Sequence, residues 1–355
     1  MDYLFPSSQA AVANGQAQGV SARSSDIILN SPIVIYTYKD VADALVGSGI
    51  MSKDGDTYKF DTVKAVGAMV ADRTWADLGY ANDYGQFRID STDPAQSNSD
   101  NEWAVLVATA LNGGQPATAD SVACDSDKSR AIFQKIGWME TSSEDSFNQF
   151  LTLGEGSKPM MVGYESQVLD PAVNQPDLNK QVKDSLVVAY TTPTEWSTHV
   201  LVSLDDNGDR LRDFHRSDDA QKLAWERHGF RGASQLGMDS ASRFGVPGIA
   251  ERVPAAELPN NDVMQELIGA VAASSQGGGC LGAAVIRWVS GSKPHRAWRL
   301  TWQTRPTLRP PHSRRRRRPS PRRSSRWQTS RPRPRLRCPS RWRRGSSTAP
   351  TTSPR

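Results

Sequence analysis

The chain alternates between β-branched runs and segments with helical spacing. From Asp26 to Tyr38 nearly every position is apolar, β-branched or aromatic, with Pro32 in the middle. Such a run predicts a strand with a bend, an edge or a crossing at the proline. Asp40 can cap a helix whose buried stripe is Val41, Ala44 and Leu45, ended by Gly47 and Gly49. Val63, Val66 and Val70 mark a second helix, and Gln86 to Pro94 reads as a short strand. Trp103, Leu106, Val107, Ala110 and Leu111 fall at i, i+3, i+4, i+7 and i+8, the clearest amphipathic helix in the chain. Asn112-Gly-Gly114 ends it. Further helices are expected at 127–137 and 143–153, then strands at Met160–Tyr164, Leu186–Tyr190 and Val200–Leu204, and a turn at Asp205–Gly208. Ser217 heads a helix to His228, and a last one runs from about Asp262 to Ala273. Strands interleaved with helices predict an α/β architecture.

Charge divides the chain in two. The formal net charge is +5 over 355 residues, but residues 281–355 hold 21 Arg, one Lys and no acid. The preceding 280 residues carry 21 basic and 38 acidic groups, so the body is −17 and the tail +22. An acidic body argues against phosphate-backbone binding by the folded part. The stretch 277–355, rich in Arg, Pro and Ser, cannot bury enough apolar surface to offset its ordering entropy and is expected to be disordered. It reads either as an arginine-rich nucleic-acid or membrane-surface arm or as a frameshifted translation of GC-rich DNA. The abrupt switch and complete loss of acids favour the second.

Cys124, Cys280 and Cys338 follow no metal or redox spacing, which excludes a disulfide-rich scaffold. The first twenty residues lack a basic start followed by an apolar core, so no secretory signal is read there. Tyr3 to Gln9 reads as a strand end running into a helix start, from which missing upstream sequence is expected. No phosphate loop, zinc-binding His-Glu-x-x-His, nucleophile elbow or Cys-x-x-Cys occurs, so neither a catalytic set, a metal site nor a cofactor is nominated.

Candidate chemistry clusters where strands end. Ser91 to Ser99 turns at Pro94 and delivers hydroxyl and amide side chains to the start of the helix through Trp103. Free N–H groups and the helix dipole make such a terminus a site for a polar ligand or anion, whereas, taken alone, the segment favours Ser97 or Ser99 as an N-cap only. Phe5-Pro-Ser-Ser-Gln9 poses the same choice. Glu165 follows an apolar strand as a helix-capping acid or a ligand contact. Asn30 and Ser31 are a bend or a polar group offered to a cleft.

Phe5-Pro-Ser-Ser-Gln9, Ile28 to Tyr36, Ile89 to Ser99, Val162-Gly-Tyr-Glu165, Tyr190 to Ser197 and Phe244 to Ile249 occur in an order that resembles bacterial extracellular solute-binding proteins. These belong to the type II periplasmic-binding class, and the Ser-Thr-Asp-Pro stretch is similar to that of its sulfate- and molybdate-type members. The resemblance covers about residues 2 to 272. It implies an α/β Venus-flytrap: one lobe of about 1–30 plus 192–275, another of about 39–188, with crossings at 31–38 and 186–193. It nominates Ser7, Ser8, Asn30, Ser31, Ser91, Thr92, Ser97, Asn98, Tyr164 and Glu165 as ligand-binding residues. It also implies non-enzymatic capture of a small polar solute or oxyanion, by a monomer outside the cytoplasm, for delivery to an ABC-type transporter permease. The rival from another class is a nucleic-acid-associated protein acting through the tail.

Overall fold

The computed structural model describes residues 1–83, 85–233 and 240–272. In chain order the elements are β1 (Tyr3–Leu4), α1 (Gln9–Ala17), β2 (Ser24–Tyr38), α2 (Lys39–Gly47), β3 (Met51–Asp54), β4 (Thr57–Asp61), α3 (Thr62–Val70), α4 (Asn98–Leu111), α5 (Ala119–Gln134), α6 (Ser143–Leu153), β5 (Met160–Tyr164), α7 (Glu165–Asn174), α8 (Pro176–Ser185), β6 (Leu186–Thr192), β7 (Trp196–Ser203), α9 (Asp206–His215), α10 (Asp218–His228), β8 (Arg231–Gly232) and α11 (Asn261–Ala272). This is a mixed α/β fold.

Strand β2 organises it. Its first part, Ser24 to Pro32, pairs antiparallel with β7, and Leu29 and Asn30 pair with β8. From Ile33 to Tyr38 the partners change to β5 on one side and β6 on the other. Pro32 has no N–H to give a ladder, and it stands where the partners change. The connection between β6 and β7 is tied to the same point: Ile33 N donates to Glu195 O at 2.8 Å, and Thr194 Oγ1 to Ile33 O at 2.9 Å. Beyond β6, the β3–β4 hairpin extends the sheet, with β4 parallel to β6.

Residues Ile33 to Tyr38 are buried on both strand faces, which is why the run is apolar throughout rather than alternating. Tyr36 crosses under β5 so closely that a Cβ at Gly163 would lie 2.5 Å from its hydroxyl, and only glycine fits. Helix α4 is buried along almost its whole length, carrying Trp103, Val105, Leu106 and Val107 into the core against α3, α5 and β5. A helix apolar all round belongs inside. Helix α11 rests mainly on α5 and α4 and also touches α1 of the N-terminal segment.

Several expectations change. Gln86 to Pro94 forms no strand: it is extended and meets β5 through the single bridge Asp90–Met161. Helix α5 starts at Ala119 rather than 127, with Thr118 and Ser121 closing a reciprocal cap. Asp205 begins helix α9 instead of closing a turn, its carboxylate accepting from the N–H groups of Asn207 and Gly208. The Arg-rich tail lies outside the described residues.

Candidate ligand-binding site

The start of α4 is built by Asp93. Its carboxylate accepts from Ala95 N and Gln96 Nε2, and its carbonyl from Gln96 N and Ser97 N, folding the chain into the helix. Ser97 occupies the N-cap position with extended backbone, yet its hydroxyl does not cap. It lies 2.8 Å from Ser99 Oγ, which lies 2.9 Å from Thr92 Oγ1. Among the described residues, no acceptor meets the backbone N–H groups of Asn98, Ser99 and Asp100. The helix therefore presents its positive end with a chain of hydroxyls beside it.

Asn98 ties this end to distant segments. Its amide nitrogen is 3.3 Å from Ser7 O, 2.7 Å from Glu102 Oε1 and 3.2 Å from the Tyr164 hydroxyl. Ser7 O also accepts from Ser197 Oγ at 3.0 Å. Residues 7, 98, 164 and 197 thus share one polar cluster.

Of the nominated residues, Ser7, Asn98 and Tyr164 meet directly. Thr92 and Ser97 share a hydroxyl chain with Ser99, while the buried Ser91 hydroxyl has no hydrogen-bond partner among the described residues. Ser31 stands one step away, its hydroxyl accepting from Ser166 N at 3.0 Å and so capping α7. Three others have structural employment. Ser8 caps α1 by accepting from Ala11 N. Asn30 sits in the β2 ladder with its amide toward Gly232 O. Glu165 is fully buried, and Arg231 grips its two oxygens at 2.7 and 2.8 Å while the Tyr190 hydroxyl donates to one of them. Arg231 also reaches the carbonyls of Ala250 and Glu251 and lies over the rings of Trp196 and Trp225. Glu165 is an internal strut.

Sequence reasoning missed the acids. Asp100, Glu102 and Glu195 are 0%, 3% and 2% exposed. Neither oxygen of Asp100 has a hydrogen-bond partner, nor does Glu102 Oε2 or Glu195 Oε1. Burial pushes all three carboxyls upward, that of Glu195 to about 8. For Asp100 the Ser91 hydroxyl eases the shift from outside hydrogen-bonding geometry, and for Glu102 Asn98 eases it while Glu195 adds to it. The Tyr164 hydroxyl is also pushed up, by burial first and then by Glu102. The available signal was an Asp and a Glu set two apart in a helix otherwise apolar beyond its first turn.

Among the described residues no cluster of His, Cys, Asp and Glu is placed to hold a metal, and no helix is long and apolar enough to cross a membrane. A separate groove of about 250 Å³, lined in part by Phe147, Gln167, Asp170, His228 and Phe230, contains none of the nominated side chains.

No protein-family model matches the chain, and no curated protein matches it. Solved structures similar to it include a Trichodesmium IdiA (FutA) protein in complex with iron and citrate, at 10% identity and TM-score 0.48, covering 77% of this chain and 81% of that one. Apo FutA2 from Synechocystis follows at 11% identity and TM-score 0.47, covering 78% and 84%. The sulfate-binding protein SubI of Mycobacterium tuberculosis is similar at 15% identity and TM-score 0.44, covering 70% and 75%.

Proposed function

We propose that the chain captures a small polar solute without transforming it, in a site at the start of α4 between two lobes. One lobe is formed by residues 1–30 and the segment from 192, the other by residues 39–188, and β2 and the β6–β7 connection cross between them. The observation that carries this reading is Asn98: it stands at an uncapped helix start and joins Ser7, Tyr164 and Glu102, side by side with the Ser7–Ser197 contact. A polar cluster assembled from four distant segments, with three backbone N–H groups that no acceptor among the described residues meets, suits a ligand that is held by hydrogen bonds and released by hinged opening. Delivery to an ABC-type permease, action as a monomer and a place outside the cytoplasm belong to the same proposal. The nucleic-acid alternative rests wholly on the tail, outside the described residues.

The test is a thermal-shift screen of the full chain against small polar solutes, followed by titration with whatever binds. Replacing Ser97 and Ser99 together by Ala should weaken binding by about 1–3 kcal/mol for each ligand group left unsatisfied. The far-ultraviolet helix signal should persist, because α4 is held by packing. Unchanged affinity in the double variant refutes this site.

A further inference from the structure

Resting on that reading, the chemistry of the cluster narrows the solute. We propose that it carries a cationic nitrogen, an ammonium or amidinium-type group, seated between Glu102 of α4 and Glu195 of the β6–β7 connection.

Glu102 and Glu195 come from segments more than ninety residues apart. Both are nine-tenths buried or more, and each keeps one carboxylate oxygen without a partner among the described residues. Asn98 holds Glu102 Oε1 and so fixes the orientation of that carboxylate, leaving Oε2 open. Glu195 stands two residues before Ser197, whose hydroxyl shares the Ser7 carbonyl with the Asn98 amide that holds Glu102, so the two acids flank one polar cluster. Helix side chains lean toward the N-terminus, so Glu102 and Asn98, one turn apart, address the same end of α4 as the nominated hydroxyls.

Among the described residues, no side-chain cation is recorded against the open oxygens of this pair. Arg231, the buried guanidinium in this part of the fold, spends its donors on Glu165 and on the Ala250 and Glu251 carbonyls. Among the described residues, a metal ion finds no three-ligand cluster of His, Cys, Asp and Glu. Two buried carboxylates repel when both ionise, and an unpaired buried charge is costly. One donor-rich cation between them relieves both penalties, and a dianion such as sulfate relieves neither. With the site empty, burial favours the protonated form of both carboxyls, and an arriving cation favours the ionised form, so capture should release protons to solvent.

The experiment is isothermal titration of the full chain with putrescine, ethanolamine and arginine as cationic probes, sulfate and molybdate as anions, and xylitol as a neutral polyol. Each runs at pH 6 and pH 8.5 in two buffers of different ionisation enthalpy. At least one cationic probe should bind, tenfold or more tightly at pH 8.5, with proton release read from the buffer dependence. Glu195→Gln and Glu102→Gln should each weaken that probe tenfold or more, with melting curves confirming that the variants fold. If Glu102→Gln does not fold, Glu195→Gln alone decides. Binding of sulfate, molybdate or xylitol but no cation overturns this inference and leaves solute capture standing. Cation binding unaffected by Glu195→Gln overturns it too. Absence of heat with every probe also overturns it, and the broader thermal-shift screen then judges solute capture separately.

Discussion

Replacing Glu195 by Gln should stabilise the unliganded chain above pH 8 and change little at pH 5. Burial raises the Glu195 carboxyl from its ordinary 4.5 to about 8. The folded chain therefore keeps a proton that the unfolded chain gives up above 4.5. Stability from this group is fully present below 4.5, declines as pH rises, and is lost once pH has passed 8. At about 1.4 kcal/mol per pH unit the ceiling of that loss is about 5 kcal/mol. Such a loss is comparable with the ~5–15 kcal/mol net stability of a whole domain. Glutamine keeps the shape and cannot ionise, so it removes the loss. Urea unfolding of the wild-type chain and of Glu195→Gln at pH 5, 7 and 8.5 measures it. The stability advantage of the variant should grow steadily across the series, reaching about 2–5 kcal/mol at pH 8.5. Glu102, raised in the same direction, keeps some slope in both proteins. A difference between the two that is constant with pH would refute the reasoning, since it would mean that Glu195 ionises in the fold as freely as in water.

Three further outcomes concern stability. Arg231→Met strands the Glu165 carboxylate and should cost about 3–5 kcal/mol in chemical denaturation; adding Glu165→Gln should recover part of the loss. Gly229→Ala places a Cβ 2.3 Å from Leu169 Cβ at a φ of +67°. Its cost should exceed the ~1–2 kcal/mol of left-handed backbone alone, and a calorimetric melt showing less would mean that α7 and α10 separate readily. Ser142 truly caps α6, accepting from Asp145 N at 3.1 Å. Ser142→Ala should therefore lose about 1 kcal/mol, and Ser97→Ala clearly less, because its hydroxyl meets Ser99 rather than a backbone N–H.

What the sequence determined by itself is local. The spacing of Trp103 to Leu111 marks α4, and the apolar run Met160–Tyr164 coincides with β5, because burial of one face or of a whole strand leaves a period readable in a single segment. The β3–β4 hairpin escaped because its strands are four and five residues long and carry Lys and Asp on the exposed side. Asp205 to Gly208 misled because the residues that close a turn also cap a helix. At the proposed site, the sequence nominated the hydroxyl and amide positions Thr92, Ser97 and Asn98, since a turn before a helix start is a local event. The tertiary structure decided their employment. Whether Glu165 contacts a solute depends on Arg231, 66 residues later, and whether Glu102 is a solvated surface acid or a buried unpaired one depends on Glu195 and on how deeply α4 sits. Partnership and desolvation are properties of segments meeting across the chain, and no periodicity within one segment records them.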